Sequence, residues 1–358
     1  MYFDYHEKLL HIVRTSLFAK NMDNFIAGMC HSFEEHLKTH WAGASSEKGM
    51  EIQLLESIHE LNFNATLTAL FGEKFQDYFA KNPVISGAFK KFDGWFEIAS
   101  STVPHLFLTI FTNSKKHLLK CTKALADEYP DAPTHSPPLT GELMRQELGR
   151  EGLENWLLAM MWAGEANAIP TLFWCIIYFI RNPDYLQRVL SQIDEVVRDR
   201  DLTEVSFKEL SQMNLIKNAI NETIRLHSPP IIVRAARKPV KVSKYTIPTG
   251  NFICLSPFWS HRNPSLYSDP LTWNPDRWEE IDLVTKHKYS FLAFGSGKYR
   301  CPGQSFAYLG LTLEITILLS KFQFYFVDPN QNVEMDLNNL VGSTKPLKDA
   351  HLIVKSRK

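Results

Sequence analysis

Phe291-Leu-Ala-Phe294-Gly295-Ser-Gly297-Lys-Tyr299-Arg300-Cys301-Pro302-Gly303-Gln304-Ser-Phe-Ala307 is a glycine-rich loop that closes on a cysteine. Gly295 and Gly297 let the backbone turn tightly and approach a flat partner. Cys301 is followed by Pro302, which suits the first position of a helix, and residues 304–321 carry that helix. Cys301 is therefore expected at a helix N-terminus, where free amides and the positive end of the dipole favour a thiolate. One cysteine without a CxxC companion does not complete a zinc site. It suits the single axial thiolate of a haem iron. The plainer alternative is a buried structural cysteine after a tight turn.

Upstream, residues 151–180 form the longest helical pattern and contain Trp162-Ala163-Gly164-Glu165-Ala166-Asn167-Ala-Ile-Pro170. A proline inside a helix clashes with the carbonyl four residues back, here that of Ala166, and removes one ladder bond. The helix is expected to loosen around Ala163, Gly164, Ala166 and Asn167. Small residues there leave room for a small guest, and Asn167 offers it hydrogen bonds. A kinked core helix with a satisfied asparagine is the plainer reading.

Downstream of that helix, Glu222-x-x-Arg225 lies in a helical segment, 210–226, where residues three apart share a face and can pair. On a surface such a pair contributes little. Arg277, in Trp273-Asn-Pro275-Asp-Arg277-Trp278, is flanked by a proline and set between tryptophans, so it is not placed for solvent. Glu222, Arg225 and Arg277 are expected to form one network that pins the loops near Cys301. Residues 231–257 alternate and carry turn signals at Lys238-Pro239 and Pro248-Thr-Gly250, which reads as short strands. Arg234 lies early among them, with a guanidinium suited to a carboxylate.

The 358 residues hold 39 basic and 39 acidic side chains, with 44% hydrophobic and 12% aromatic residues. That supports a large core, in a chain long for one domain. The charge balance and the lack of a basic stripe argue against nucleic acid as a partner. Cys30, Cys121, Cys175, Cys254 and Cys301 are scattered and odd in number, so no disulfide framework is expected and the environment reads as reducing. Met1 opens no signal peptide, and no apolar run reaches bilayer length; the longest, 169–180, reads as a buried core helix. Helices are further expected at 3–40, 50–72, 73–100 (interrupted at Asn82-Pro83), 183–198 and, with solvated lysines, 115–126. Residues 41–49 read as a turn and 129–141 as a connector with four prolines. Strands and loops follow the last helix over 322–354.

Glu222-x-x-Arg225, Pro275-Asp-Arg277-Trp278 and Phe294-x-x-Gly297-x-x-x-Cys301-x-Gly303, in this order and spacing, resemble the cytochrome P-450 haem-thiolate monooxygenases. The likeness covers essentially the whole chain, 1–358, as a single catalytic domain. It implies a mainly α fold with small β-sheets and haem b whose iron is held by Cys301, within a cradle that includes Phe294, Gly297 and Gly303. Tyr299 stands where the family usually has a basic residue, so propionate pairing is expected to fall to Arg234. Ala163, Gly164, Glu165 and Asn167 correspond to the oxygen-binding part of the long helix. The resemblance begins at about the family's helix C, so the N-terminal membrane anchor and first strands of a typical member are expected to be missing. It further implies dioxygen as co-substrate, NADPH–cytochrome P-450 reductase as electron donor, and the endoplasmic reticulum membrane as location.

Within the family, Trp162-Ala163…Asn167-Ala-Ile-Pro170…Phe173-Trp174 is similar to the branch of sterol 7α-hydroxylases, sterol 12α-hydroxylases and prostacyclin synthase. Leu255-Ser-Pro-Phe-Trp-Ser-His-Arg-Asn-Pro264 and Ala293-Phe-Gly-Ser-Gly-Lys298 look most like the members that 7α-hydroxylate oxysterols such as 24-hydroxycholesterol, in cholesterol catabolism and bile acid synthesis. Ala166 and Asn167 replace the family's usual acid–alcohol pair, and Glu165 stands one position from the usual acid. The function implied is hydroxylation of a sterol ring carbon. Two other readings stay open: a haem-thiolate lipid-peroxide isomerase of the prostacyclin-synthase kind, which needs no reductase, and a truncated chain that does not close a haem pocket.

Overall fold

The structure, a computed structural model, describes residues 22–72, 84–99, 109–128, 142–197, 200–228, 231–279, 289–338 and 342–357, with a few positions in 10–17 and 78–82. The proline-rich connector expected at 129–141 lies outside them. The order of elements is α1 (Asp23–His40), β1 (Met50–Gln53), α2 (Leu54–Phe71), α3 (Val84–Ala99), α4 (Thr109–Glu128), α5 (Glu142–Glu165), α6 (Ala168–Arg181), α7 (Pro183–Val197), α8 (Phe207–Ser211) and α9 (Asn214–His227). Then follow β2 (Ile232–Ala235), β3 (Val240–Val242), β4 (Tyr245–Ile247), β5 (Phe252–Leu255), α10 (Pro257–Ser260), α11 (Gln304–Lys321), β6 (Phe322–Phe326) and β7 (His351–Ser356). The expected mainly helical fold with small sheets is what is found.

The core is built on α6, α11 and α2. A helix apolar on every side belongs inside, and α6 buries Leu172, Phe173, Trp174, Cys175, Ile176 and Ile177 in succession. α11 does the same from Leu309 to Leu319. By contrast α7 buries only the stripe Tyr185, Val189, Ile193 and Val197, one residue per turn, and turns charges outward. Counted through its break, the helical stretch Glu154–Arg181 is long and apolar enough to cross a membrane, which differs from the expectation of no such run. Of its most apolar window, 67% is buried inside the fold, as suits a core helix.

Three small antiparallel sheets flank the helices, with strand orders β1-β7-β6, β2-β5 and β3-β4. The first corrects the helix expected over 50–72. Residues 50–53 pair with β7 near the other end of the chain, Met50 opposite Val354 and Gln53 opposite His351. Only then does α2 begin, and its first amides are satisfied from outside. Leu54 donates to the Ala350 carbonyl at 2.9 Å; Leu55 and Glu56 donate to the Asp349 carboxylate at 2.7 and 3.1 Å. A partner three hundred residues away overrides local helix propensity here.

Other expectations shift in the same way. Residues 210–226 hold two helices, not one. Ser206 and Glu209 form a capping box for α8, and α9 restarts at Asn214. Within 3–40, residues 10, 11, 13 and 14 and α1 from Asp23 are helical, with turns at Leu17 and Met22 between them, and the rest of 3–21 lies outside the described residues. Pro302 falls in the turn before α11, whose N-cap is Gly303. All five cysteines are free thiols, as expected.

Candidate functional site

Glu222 sits on α9 with no exposed surface. Its carboxylate accepts five hydrogen bonds: Arg225 Nε (2.8 Å) and Nη2 (2.9 Å), Arg277 Nε (2.9 Å), Trp278 Nε1 (3.0 Å) and the Asn274 amide (2.9 Å). The two guanidiniums then fan out to backbone carbonyls. Arg225 donates to His261, Pro270 and Thr272, and Arg277 to Ser268. Bidentate, charge-assisted contacts of this kind fix orientation as well as supplying energy. The expected Glu–Arg–Arg network is therefore present, and it staples residues 268–278 to α9.

His261, part of the Leu255–Pro264 segment but given no role by the sequence, carries this frame to the cysteine loop. Its Nε2 accepts from the Leu292 amide at 2.9 Å, and its ring stacks on Phe291 at 5.2 Å between centroids. Since Nε2 is an acceptor, Nδ1 bears the proton and donates to Ser228 Oγ at 2.8 Å; that hydroxyl in turn donates to the Ile224 carbonyl. Burial pushes the imidazole pKa down to about 3, so the neutral ring required by this arrangement holds at physiological pH.

The loop it braces turns twice before the cysteine. Gly295 donates to Leu292 at 2.9 Å, and the Cys301 amide closes back on the Phe294 carbonyl at 2.8 Å. Gly297 has φ +67°, the left-handed region that favours glycine, and a Cβ there would meet nothing within 4 Å. At Gly297 the loop therefore presents bare backbone to open space. Cys301 itself is exposed. Burial by the protein packed behind it raises its thiol pKa overall, with a Gly303 amide contact and the Arg300 charge opposing only in part, so the thiolate expected from a helix N-terminus is not favoured here: the helix N-cap is Gly303, two residues on. Phe294 leans on Tyr308 of α11, with ring centroids 5.3 Å apart. Arg14, another residue without a sequence signal, donates to the Lys298 carbonyl and ties the early helical segment to this loop.

The long helix breaks where Pro170 predicts, since residues 166 and 167 fall between α5 and α6. Ala163 and Asn167, one turn apart, are exposed on a stretch whose other faces are mostly buried. Asn167 Oδ1 accepts from the Ser343 amide at 2.8 Å. Gly164 and Glu165 are turned elsewhere. A Cβ at Gly164 would lie 3.1 Å from Thr66 Cγ2 and 3.2 Å from Leu70 Cδ1, so this glycine allows α5 to pack closely on α2. Glu165 is enclosed, and neither of its oxygens has a hydrogen-bond partner. Arg234 stands exposed on β2, with Nη1 on the Val233 carbonyl at 2.9 Å.

These residues fit a haem. The Cys301 sulfur is accessible, its loop carries glycine with free space beside it, and a small, partly polar strip opens on the broken helix. Among the described residues no cluster of His, Cys, Asp or Glu offers a competing metal site.

Residues 139–353, from just ahead of α5 into β7, match the Cytochrome P450 family. The chain belongs to that family, and is a haem-thiolate monooxygenase, an oxidoreductase drawing on dioxygen and a redox partner. The chain is 30% identical to human 24-hydroxycholesterol 7-alpha-hydroxylase over 98% of its own length and 75% of that enzyme. It is 26% identical to the sterol 14alpha-demethylase of Mycobacterium tuberculosis (strain ATCC 25618 / H37Rv) over 81% of this chain and 67% of the other. The retinoic acid-bound cyanobacterial CYP120A1 superposes with a TM-score of 0.83 at 20% identity, covering 98% of this chain and 79% of that one.

Proposed function

We propose that this chain hydroxylates a sterol, and that the reaction is 7α-hydroxylation of an oxysterol such as 24-hydroxycholesterol. What supports the reading is the 30% identity to the human enzyme of that activity, in an alignment that covers 98% of the chain. Cys301 would hold the haem iron through its thiolate, with Phe294, Gly297 and Gly303 shaping the face behind it and Arg234 reaching a propionate. When bound, the haem supplies dioxygen activation, which an electron-rich thiolate favours.

The chain's own residues then orient and shield. Ala163 keeps its side of the helix low, so that a flat substrate can lie close. Asn167 has its oxygen held by the Ser343 amide, which leaves its side-chain NH2 as the donor it would offer a guest. The Glu222, Arg225 and Arg277 cluster holds the cysteine loop rigid through His261, because the sulfur must not drift as charge on the iron changes. NADPH–cytochrome P-450 reductase, at the endoplasmic reticulum membrane, is the electron donor that this reading implies.

The test is direct. Residues 1–358 are expressed, and the reduced, carbon-monoxide-bound spectrum is recorded for wild type and for Cys301→Ser. The wild type shows the thiolate-ligated band and the variant loses it. With reductase and NADPH, 24-hydroxycholesterol gives its 7α-hydroxy product. A wild type without the thiolate band overturns the haem-holding reading. Turnover of a lipid endoperoxide in the absence of electrons, with no sterol product, establishes an isomerase in place of the hydroxylase.

A further inference from the structure

A cavity of about 220 Å³ lies between α2, α3, the break in the long helix and residues 345–349. It is separate from the haem site: Ala163, Asn167, Arg234, Phe294 and Cys301 are not among its walls. An engineered apolar cavity of about 150 Å³ accepts benzene. This one therefore has room for a single ring with a small substituent.

Most of the lining is apolar. Phe89, Ala166, Ile169 and Pro170 are buried, and Leu55 is half-buried. Water needs two to four polar partners, and these side chains offer it none. Phe89 and His59 give the cavity an aromatic wall. Their rings lie 6.0 Å apart at a tilt of 44°, and His59 stacks on Phe63 at 5.6 Å. A flat ring packs well against such a surface, offset or edge-on.

Two polar side chains that line the cavity have no hydrogen-bond partner. Glu165 is fully buried with both oxygens unpaired, and His59 is 9% exposed with both ring nitrogens unpaired. The Thr66 hydroxyl beside Glu165 donates to Asn62 Oδ1 at 3.0 Å. Buried polar groups are nearly always satisfied, so each orphan calls for an explanation. Burial raises the Glu165 pKa well above the ordinary carboxyl value, with Glu314 adding to the rise, and lowers that of His59 to about 3. Both are therefore uncharged at neutral pH. An uncharged carboxyl offers one O–H and one carbonyl oxygen, and a hydroxyl group answers both. The charges around the cavity are already matched. Lys345 pairs with Asp93 and Lys90 with Glu56, while Asp349 accepts from the Leu55 and Glu56 amides. A charged ligand would find no spare counter-ion there.

We propose that this cavity is a second small-molecule site, distinct from the haem site, and that it takes a small uncharged phenol. The ring packs among Phe89, Ile169 and Pro170, and the hydroxyl exchanges hydrogen bonds with Glu165. Apolar walls with a few convergent polar groups are the usual make-up of a small-ligand pocket. Glu165 is the last residue of α5 and Pro170 lies in the first turn of α6. An occupant thus spans the helix break and braces it against α2 and α3. That is the position of an effector rather than of a substrate.

The experiment uses the full, haem-loaded chain with the iron saturated by clotrimazole, an azole that keeps the substrate side occupied and whose place is followed in the visible spectrum. p-Cresol, toluene and benzylamine are titrated by calorimetry and ligand-observed NMR. One p-cresol is expected to bind per chain without displacing the azole, at least about tenfold more tightly than toluene, which has the same ring but leaves Glu165 unpaired. Glu165→Leu is expected to bind the two equally. Glu165→Gln, which keeps a donor and an acceptor, retains the preference for p-cresol. Equal binding of p-cresol and toluene to the wild type overturns the proposal, and that comparison needs no variant. A preference that survives Glu165→Leu overturns it too, as does displacement of the azole by p-cresol. Absence of saturable binding also overturns it and leaves the cavity to water. Tighter binding of benzylamine overturns the uncharged class. The readout is binding, so an error in the sterol assignment is seen separately.

Discussion

At the scale of single residues, Glu222 is where most of the site's order converges. One carboxylate holds two arginines, an indole and a backbone amide, all removed from water. Truncating one member leaves the others charged and unpaired, which costs about 3–5 kcal/mol for a buried pair. Glu222→Ala is therefore expected to lower the free energy of unfolding by about that much and to release haem, as read by denaturant titration and by the visible spectrum. Arg225→Lys removes the bidentate fork and is expected to have a milder effect in the same direction. The spacing of Glu222 and Arg225 was legible, because i,i+3 geometry is local. His261 was not. Its role depends on Leu292 and Ser228 arriving on either side of it, and nothing in Trp259-Ser-His261-Arg262 signals that.

At the scale of elements, the break between α5 and α6 followed from one proline, since the missing amide acts within one turn. The strand at 50–53 did not follow, because four residues carry too little pattern to outweigh a following helix. Its conformation is decided by β7 and by Gly49, whose φ of +79° turns the chain into the sheet. A Cβ at Gly49 would lie 2.7 Å from the Val354 carbonyl. Gly49→Ala thus adds a steric clash to a backbone strain of about 1–3 kcal/mol. It is expected to lower the melting temperature and to speed hydrogen exchange in residues 50–53 and 351–356, whereas Gly28→Ala, inside α1 with nothing within 4 Å and no left-handed φ, raises stability by about 0.5–1 kcal/mol. Gly164 teaches the same lesson in reverse. It reads in sequence as room for a guest, and in the fold it is room for α2.

For the whole molecule, burial of titratable groups sets the dependence of stability on pH. His36, His59, His227 and His261 are all held neutral by burial, with pKa values pushed down to about 4 for His36 and about 3 for His59 and His261. A lowered histidine pKa gives stability that is present above 6.5 and lost as pH falls, since the unfolded chain takes up protons first. Glu314 acts in the opposite sense. Its raised pKa gives stability that is present below about 4.5 and lost as pH rises toward about 8. Above about pH 7.5 the histidines are close to neutral in both states, so from there through about pH 8 the buried acids Glu314 and Glu165 dominate the slope. The expected outcome is a melting temperature that declines over that window in the wild type and declines less in Glu314→Gln, followed by scanning calorimetry in a pH series. Equal slopes in the two proteins contradict the buried acid.

The sequence alone determined the cysteine loop, the broken core helix, the Glu–Arg–Arg cluster and with them the family. Each of these is written in residues close in sequence or in a fixed order of short motifs, and each relies on backbone rules that act over a turn or two. The tertiary structure alone decided which face of the broken helix each residue takes, the pairing of residues 50–53 with the last strand, the His261 bridge and the enclosure of Glu165. Those depend on what segments hundreds of residues apart bring into contact, and desolvation, which makes a glutamate neutral or a histidine a fixed acceptor, exists only once they have met.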